Sequence, residues 1–195
     1  SIEEYTSVSA AEFVFAGSSP FATREELVNV LAAESLTFSD REQCLTAFGH
    51  IKTADNPQRE VDWILARAAL DSDAQWIDIA RTAIALQEIR VRDGLLRLAF
   101  ESFDVRVKVR GWLMHIMGRI PEHHVAACAT VLAGVVWLDG NGSLARIALD
   151  RALDADPEYS LARLLDTALV NAVPSRIWTE SLEAVSYDEC LRGAA

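Results

Sequence analysis

The chain has 195 residues, of which 51% are hydrophobic, and it carries a formal net charge of −11 at pH 7. The apolar content excludes a disordered chain, and the acidic balance argues against binding to nucleic acid or to an anionic membrane, because phosphate contacts need clustered Lys and Arg. Only 9 Gly and 5 Pro are present, which favours long helices over a turn-rich β fold.

Starts of helices recur along the first half of the chain. Asn56-Pro57 is a capping residue followed by proline at the first helical position, where the missing N–H costs nothing. After each predicted helix start, apolar residues recur at helical spacing. The sequence therefore predicts a series of short helices. Capping boxes that mark the other starts are predicted at Thr23/Glu26, Ser39/Glu42 and Ser72/Gln75.

The second half continues in the same manner. Residues 105–109 alternate apolar and polar like a strand, but the apolar pattern continues beyond them at helical spacing, so we predict a helix. Residues 125–138 form the longest apolar run, which is shorter than the ~20 residues of a membrane-spanning helix and indicates a buried core helix. A turn is predicted at residues 139–142. Later helix starts are predicted at Ser143, Asp156-Pro157 and Pro174.

These elements predict an all-α fold, a bundle of about ten helices that forms a single domain over residues 1–195. The first ~20 residues are open to two interpretations, as part of this domain or as an extended leader from a missing N-terminal half. The chain begins Ser-Ile-Glu-Glu without a secretory signal, which is typical of a fragment or a processed chain. Cys44, Cys128 and Cys190 form no CxxC pair, so we expect reduced thiols and a cytoplasmic location.

Residues 126–157 resemble one tetratricopeptide repeat, a unit of about 34 residues made of two antiparallel helices. Small residues let the two helices approach closely, and Gly140 lets the chain reverse between them. Continued onward, the pattern places Asp166 and Thr167 at the Leu-Gly positions of a second unit, so we predict a solitary hairpin packed on other helices. The matching positions are Leu132, Ala133, Val136, Gly140, Asn141, Ala145, Leu149, Ala152, Asp156 and Pro157.

Three stretches of sequence carry a resemblance to a known family. Residues 13–31 read FVFAGSSPFATREELVNVL, residues 88–96 read EIRVRDGLL, and residues 132–178 include WLDGNGSLARIALDRALDADPEYSLARLL and VPSRIW. In amino-acid sequence and in order along the chain, these stretches resemble the actinobacterial family catalogued as domain of unknown function 4192. The resemblance implies that this chain is the C-terminal helical half of proteins with an additional α/β half, and it implies no particular activity.

The strongest candidate for a metal site is Glu122-His123-His124, with His115 one helix earlier. Zinc needs three or four converging ligands, whereas adjacent residues of a helix point about 100° apart. Glu122 also complements the dipole at a helix start. We therefore interpret this segment as a solvated helix start and predict no metal ligand, no cofactor and no catalytic residue.

Two other groups are candidates for a polar or partner-binding surface. Arg90, Arg92 and Asp93 form either an anion site or, as we favour, ion pairs that tie helices together. Trp137, with Arg146 and Arg163, is a candidate for the wall of a groove, although tryptophans at apolar helical positions most often lie in a core.

The favoured functional hypothesis is a protein–protein interaction or scaffold module that binds a protein partner or a second copy of itself, because helical hairpins form grooves for peptides and helices. One alternative is a helical accessory domain of an enzyme whose active site lies in a missing N-terminal α/β half. The other is a structural oligomerisation domain. Each alternative leaves this chain without catalytic residues of its own.

Overall fold

The structure, a computed structural model, describes residues 24–52, 55–70 and 72–193. Those residues form eleven α-helices and one short 3-10 helix and contain no β-strand, which confirms the predicted all-α fold. The first helices are α1 (Arg24–Leu31), α2 (Phe38–His50), α3 (Pro57–Ala68), α4 (Trp76–Ala85), α5 (Ile89–Glu101) and α6 (Phe103–Ile116), followed by the 3-10 helix Met117–Arg119. The remaining ones are α7 (Glu122–Leu138), α8 (Gly142–Ala155), α9 (Ser160–Val170), α10 (Ser175–Glu183) and α11 (Tyr187–Arg192).

Helix α7 is the centre of the bundle. Residues 125–137 are all buried, and the helix packs against α4, α5, α6, α8, α9 and α10. A helix that is apolar on every face needs neighbours on every face, so the other helices surround it. The apolar run therefore forms a buried core helix, as predicted from its length and composition.

The predicted helical hairpin is formed by α7 and α8. Residues 139–141 connect the two helices, and Gly140 has a φ of 76°, a value that only glycine adopts without strain. Ala145, Leu149 and Ala152 are buried on the α8 face of the hairpin. The likeness of this hairpin to a tetratricopeptide repeat stays a prediction.

Several helix starts differ from the predicted ones. In α2 the reciprocal cap joins Thr37 and Asp40: the Asp40 N–H donates to Thr37 Oγ1 at 3.2 Å, and the Thr37 N–H donates to Asp40 Oδ2 at 3.1 Å. The predicted pair Ser39/Glu42 was therefore wrong by two residues. The cap predicted at Asn56-Pro57 is confirmed, since Asn56 Oδ1 accepts from the Arg59 N–H at 3.1 Å.

At two other helix starts, those of α4 and α8, a neighbouring side chain again makes the cap. Before α4 the Gln75 N–H donates to Asp78 Oδ2 at 3.2 Å, so Ser72/Gln75 is not the box. Asn141, and not Ser143, caps α8 by accepting from the Leu144 N–H at 3.0 Å. Asp156-Pro157 forms a turn before α9, which begins at Ser160. The predicted box at Thr23/Glu26 lies outside the described residues, because Thr23 is not among them.

Candidate functional site

Arg67, in the last turn of α3, organises the connection between α3 and α4. Its side chain is only 7% exposed. Nε donates to Asp78 Oδ2 at 2.8 Å, and Nη2 donates to the carbonyl oxygens of Asp73 and Ser72 at 2.8 and 3.3 Å. The guanidinium carbon lies 4.6 Å from the centre of the Trp112 ring on α6. One side chain thus joins α3, α4 and α6.

Two further side-chain clusters join helices at this end of the bundle. The Trp112 indole N–H donates to Thr82 Oγ1 at 3.1 Å in a fully buried hydrogen bond. Earlier on α3, Arg81 donates to both carboxylate oxygens of Glu60 at 2.8 and 3.1 Å and stacks 4.3 Å from the centre of the Trp63 ring. An arginine guanidinium therefore lies over each tryptophan ring and is paired with a carboxylate.

Two shallow depressions lie on either side of the α3–α4 connection. The first, of about 610 Å³, is lined by Trp63 and Arg67, and the second, of about 630 Å³, is lined by Trp112 and Gly111 of α6. Leu70, which is 60% exposed, lines both of them. We call the second depression, with Leu70 at its border, the α3–α6 groove. Its other lining residues are Ala68, Ser72, Asp73, Val107, Lys108 and His115.

The groove has apolar and polar walls and mixed charge. Lys108 Nζ is paired with Asp104 Oδ2 at 2.6 Å, and the exposed Asp73 lies on the opposite wall. Among the residues that the structure describes, no three His, Cys, Asp or Glu side chains are grouped to hold a metal ion. The groove can therefore offer apolar contact, hydrogen bonds and a balanced pair of charges to another molecule.

The predicted group on α5 lies at its first two turns. Arg90 Nε donates to Glu88 Oε1 at 2.8 Å, and this hydrogen bond lowers the pKa of Glu88. Arg92 pairs with Asp93 at 2.8 Å and donates to the Tyr159 hydroxyl at 3.2 Å. Burial by itself disfavours the charged form of Arg92, but the hydrogen bonds to Asp93 and Tyr159 outweigh it and raise the pKa. Through Tyr159, Arg92 connects α5 to the link between α8 and α9.

The second predicted group is dispersed over α7, α8 and α9. Trp137 is only 5% exposed and stacks on Trp178 of α10, with 6.4 Å between ring centres. Arg146 pairs with Asp150 at 3.0 Å and with Asp166 at 2.6 Å, which joins α8 to α9. Arg163 pairs with the exposed Glu158 at 2.7 Å. A partner-binding role for these residues and for the α5 group stays a prediction.

The histidine pair at the start of α7 has a defined packing role. The ring of His124 stacks on Phe48 of α2 at 4.9 Å between centres, and its main-chain carbonyl accepts from Gln87 Nε2 at 3.3 Å. The neighbouring His123 ring is 4.2 Å away. Burial, and secondarily the charge of His123, lowers the pKa of His124 below its ordinary value of 6.5.

We therefore expect the protein to lose stability as the pH falls below about 6.5. The unfolded chain then takes up a proton at His124 before the folded chain does, so the free energy of unfolding decreases with decreasing pH. Urea unfolding at a series of pH values between 7.5 and 5 measures this slope. The His124→Phe variant keeps a ring against Phe48 and should show a flatter profile in that window. An unchanged slope in the variant would contradict this assignment.

Arg67, Leu70 and Gly111 were not predicted as site residues. The sequence offered one usable feature, a glycine inside the helical pattern of α6, which is unfavourable unless something requires it. The contacts of Arg67 with Asp78 and Trp112 could not be read from spacing, because they depend on how three helices pack.

Over its described residues, the protein is an all-α bundle around one buried helix, with the shallow α3–α6 groove on its surface. Within those described residues, no helix is long and apolar enough to cross a membrane. Residues 2–176 match the family described as Domain of unknown function (DUF4192), and the chain belongs to that family. The resemblance seen in the sequence is thereby confirmed, whereas the actinobacterial source stays a prediction. No match to the chain was found among curated proteins or among solved structures.

Proposed function

We propose that this domain is a protein–protein interaction or scaffold module and that its protein partner occupies the α3–α6 groove. The observation that carries the proposal is Gly111. It lies within α6, yet apart from its chain neighbours and the backbone of its own helix, no atom of the described residues comes within 4 Å of the place where its Cβ would be. Glycine inside a helix costs roughly 1 kcal/mol relative to alanine. Among the described residues, no contact to another helix explains why position 111 is a glycine.

A partner that approaches the helix backbone closely would require a glycine at this position. The exposed Leu70 at the border of the groove offers such a partner an apolar anchor, and the rigid Trp112 wall needs no rearrangement on binding. We infer a peptide or helix with one apolar side chain directed at Leu70 and Gly111. Its polar flanks would face Lys108 and Asp73. A cytoplasmic location belongs to the same proposal.

The test uses a photocrosslinking residue at position 111 in the full-length protein, expressed in its native host. Position 49 is the matched control, because Gly49 is also helical and does not line the groove. Outside its own stretch of helix, no described atom lies within 4 Å of its Cβ position either. We expect a protein to be crosslinked from position 111 only. The identified protein should then bind the purified chain, and Gly111→Arg should weaken that binding roughly tenfold or more.

Gly49→Arg should leave the same affinity unchanged, and circular dichroism should show that both variants are folded. Equal crosslinking from both positions would overturn the proposal. So would a partner whose affinity is insensitive to Gly111→Arg.

A further inference from the structure

The last two helices lie in a seat made by two glycines. We call residues 175–192 the C-terminal arm; α10 packs on α5 and α7, and α11 packs along α5. A Cβ at Gly94 of α5 would lie 3.1 Å from Leu191 Cδ2 and 3.2 Å from Tyr187 Cε2. A Cβ at Gly134 of α7 would lie 3.0 Å from Leu96 Cδ2 of α5 and 3.4 Å, an ordinary van der Waals distance, from Trp178 Cζ2. The seat therefore fits the arm most closely at Gly94.

The arm is held by partly buried side chains. Neither α10 nor α11 contains a fully buried residue. Trp178, Leu182, Tyr187 and Leu191 pack partly buried against the core, and Arg97 Nε donates to Val185 O at 2.6 Å. The buried indole N–H of Trp178 donates to no acceptor among the described residues, which reduces the favourable energy of docking. Elements without fully buried residues open at a lower free-energy cost than the core does. The arm therefore fits its seat closely but is less buried than the helices beneath it.

The connection to the arm stores backbone strain at one residue. Helix α9 ends in a reversed turn in which the Ala172 N–H donates to Leu169 O at 3.1 Å and the Val173 N–H donates to Ala168 O at 2.9 Å. Ala172 has a φ of 51°, in the left-handed region. The corresponding position at the end of α7 is Gly140, where the same pair of hydrogen bonds forms without a Cβ. Alanine at position 172 is thus strained where glycine would not be.

From these observations we propose that the C-terminal arm exchanges between two copies of this chain, so that the arm of each copy occupies the Gly94–Gly134 seat of the other. Pro174, just before α10, is already extended, with a φ of −61° and a ψ of 143°. Rotation of Ala172 out of the left-handed region therefore suffices to direct the arm away from its own body. A short, strained hinge favours exchange in this way.

The energetics favour the exchanged dimer at high protein concentration. The arm makes the same contacts in either seat, so those contacts cancel between the two states. When Ala172 leaves the left-handed region, the equilibrium constant for exchange increases by on the order of fivefold per chain. The dimer contains two such hinges and therefore gains roughly 25-fold. This inference is independent of the groove at α3–α6, which the arm does not contact.

Light scattering coupled to size-exclusion chromatography tests the hinge, with the whole chain refolded at micromolar to millimolar concentration. We expect a dimer whose fraction rises with concentration. Ala172→Gly should raise the dimer dissociation constant roughly 25-fold, because glycine removes the strain from the monomer. Ala172→Val should lower it, because a β-branched side chain is more strained at positive φ. A chain that stays monomeric, or a dimer that is insensitive to position 172, would overturn the proposal.

A disulfide identifies the exchanged arm directly. One chain carries Gly94→Cys and the other carries Leu191→Cys, and both carry Cys190→Ser to remove the neighbouring thiol. After joint refolding and oxidation, we expect a covalent heterodimer on a non-reducing gel. Both new cysteines placed in one chain serve as the control for correct geometry, since the monomer then closes its own disulfide. If the control closes but no heterodimer forms, the dimer does not exchange its arms.

Discussion

Replacement of Arg67 by alanine is expected to lower the free energy of unfolding by about 3–5 kcal/mol. The side chain is 7% exposed, and that of its partner Asp78 is 17% exposed. Without Arg67, the Asp78 carboxylate loses its counter-charge in a partly buried position, and the main-chain carbonyls of Ser72 and Asp73 lose their donor. Domains are stable by only about 5–15 kcal/mol, so this loss is a large fraction of the total.

Urea unfolding followed by circular dichroism measures the effect. Arg163→Ala is the matched control, because Arg163 also pairs with a carboxylate but both side chains are exposed. We expect it to cost less than about 1 kcal/mol. A double-mutant cycle with Asp78→Ala then isolates the ion pair from the stacking on Trp112. If Arg67→Ala costs no more than Arg163→Ala, Arg67 does not organise this end of the bundle.

Replacement of Asp139 by alanine is the second variant for which we expect a large loss, again about 3–5 kcal/mol. Asp139 Oδ1 pairs with Arg106 Nε at 2.7 Å, and Oδ2 pairs with Arg110 Nη1 at 2.8 Å. The side chain of Asp139 is 13% exposed. Its removal leaves two neighbouring guanidinium groups of α6 without the carboxylate that holds them to the α7–α8 turn.

Asp154→Ala is the control within the same hairpin, since Asp154 is an exposed residue of α8. We expect its effect to stay within about 0.5 kcal/mol. Asp139→Asn should fall between the two, because the amide oxygen still accepts a hydrogen bond but carries no charge. Equal losses for Asp139→Ala and Asp154→Ala would show that the turn at residues 139–142 needs only its glycine.

The helices could be predicted because their signals are local. Residues 105–109 are the most informative case, since they alternate like a strand and yet form part of α6. The pattern beyond them decided the outcome: Trp112, Leu113 and Ile116 recur at helical spacing and are buried. Helix starts were harder to place, because several capping residues stand close together. The start falls where a side chain completes a reciprocal hydrogen bond, as Thr37 and Asp40 do.

The candidate groove could not be predicted, because its residues are distant in the chain. Ala68 of α3 and Trp112 of α6 are 44 positions apart in the numbering and line the groove together only because α3 packs against α6. Gly111 is visible in the sequence as an unfavourable residue in a helix, but the empty space beside it exists only in the folded structure.

By itself, the sequence determined the all-α class, the buried helix over residues 125–138 and the hairpin of which that helix is the first half. It also determined membership of the family. Periodicity, composition and sequence similarity are properties of neighbouring residues, which is why they could be read directly. Only the tertiary structure decided which polar side chains meet. It placed Trp137 against Trp178, Arg67 over Trp112 and Asp139 between two arginines. It also decided that Ala172 is strained while Gly140 is not. The reason is that an ion pair or a strained hinge depends on distances across the bundle, which packing sets and local sequence does not.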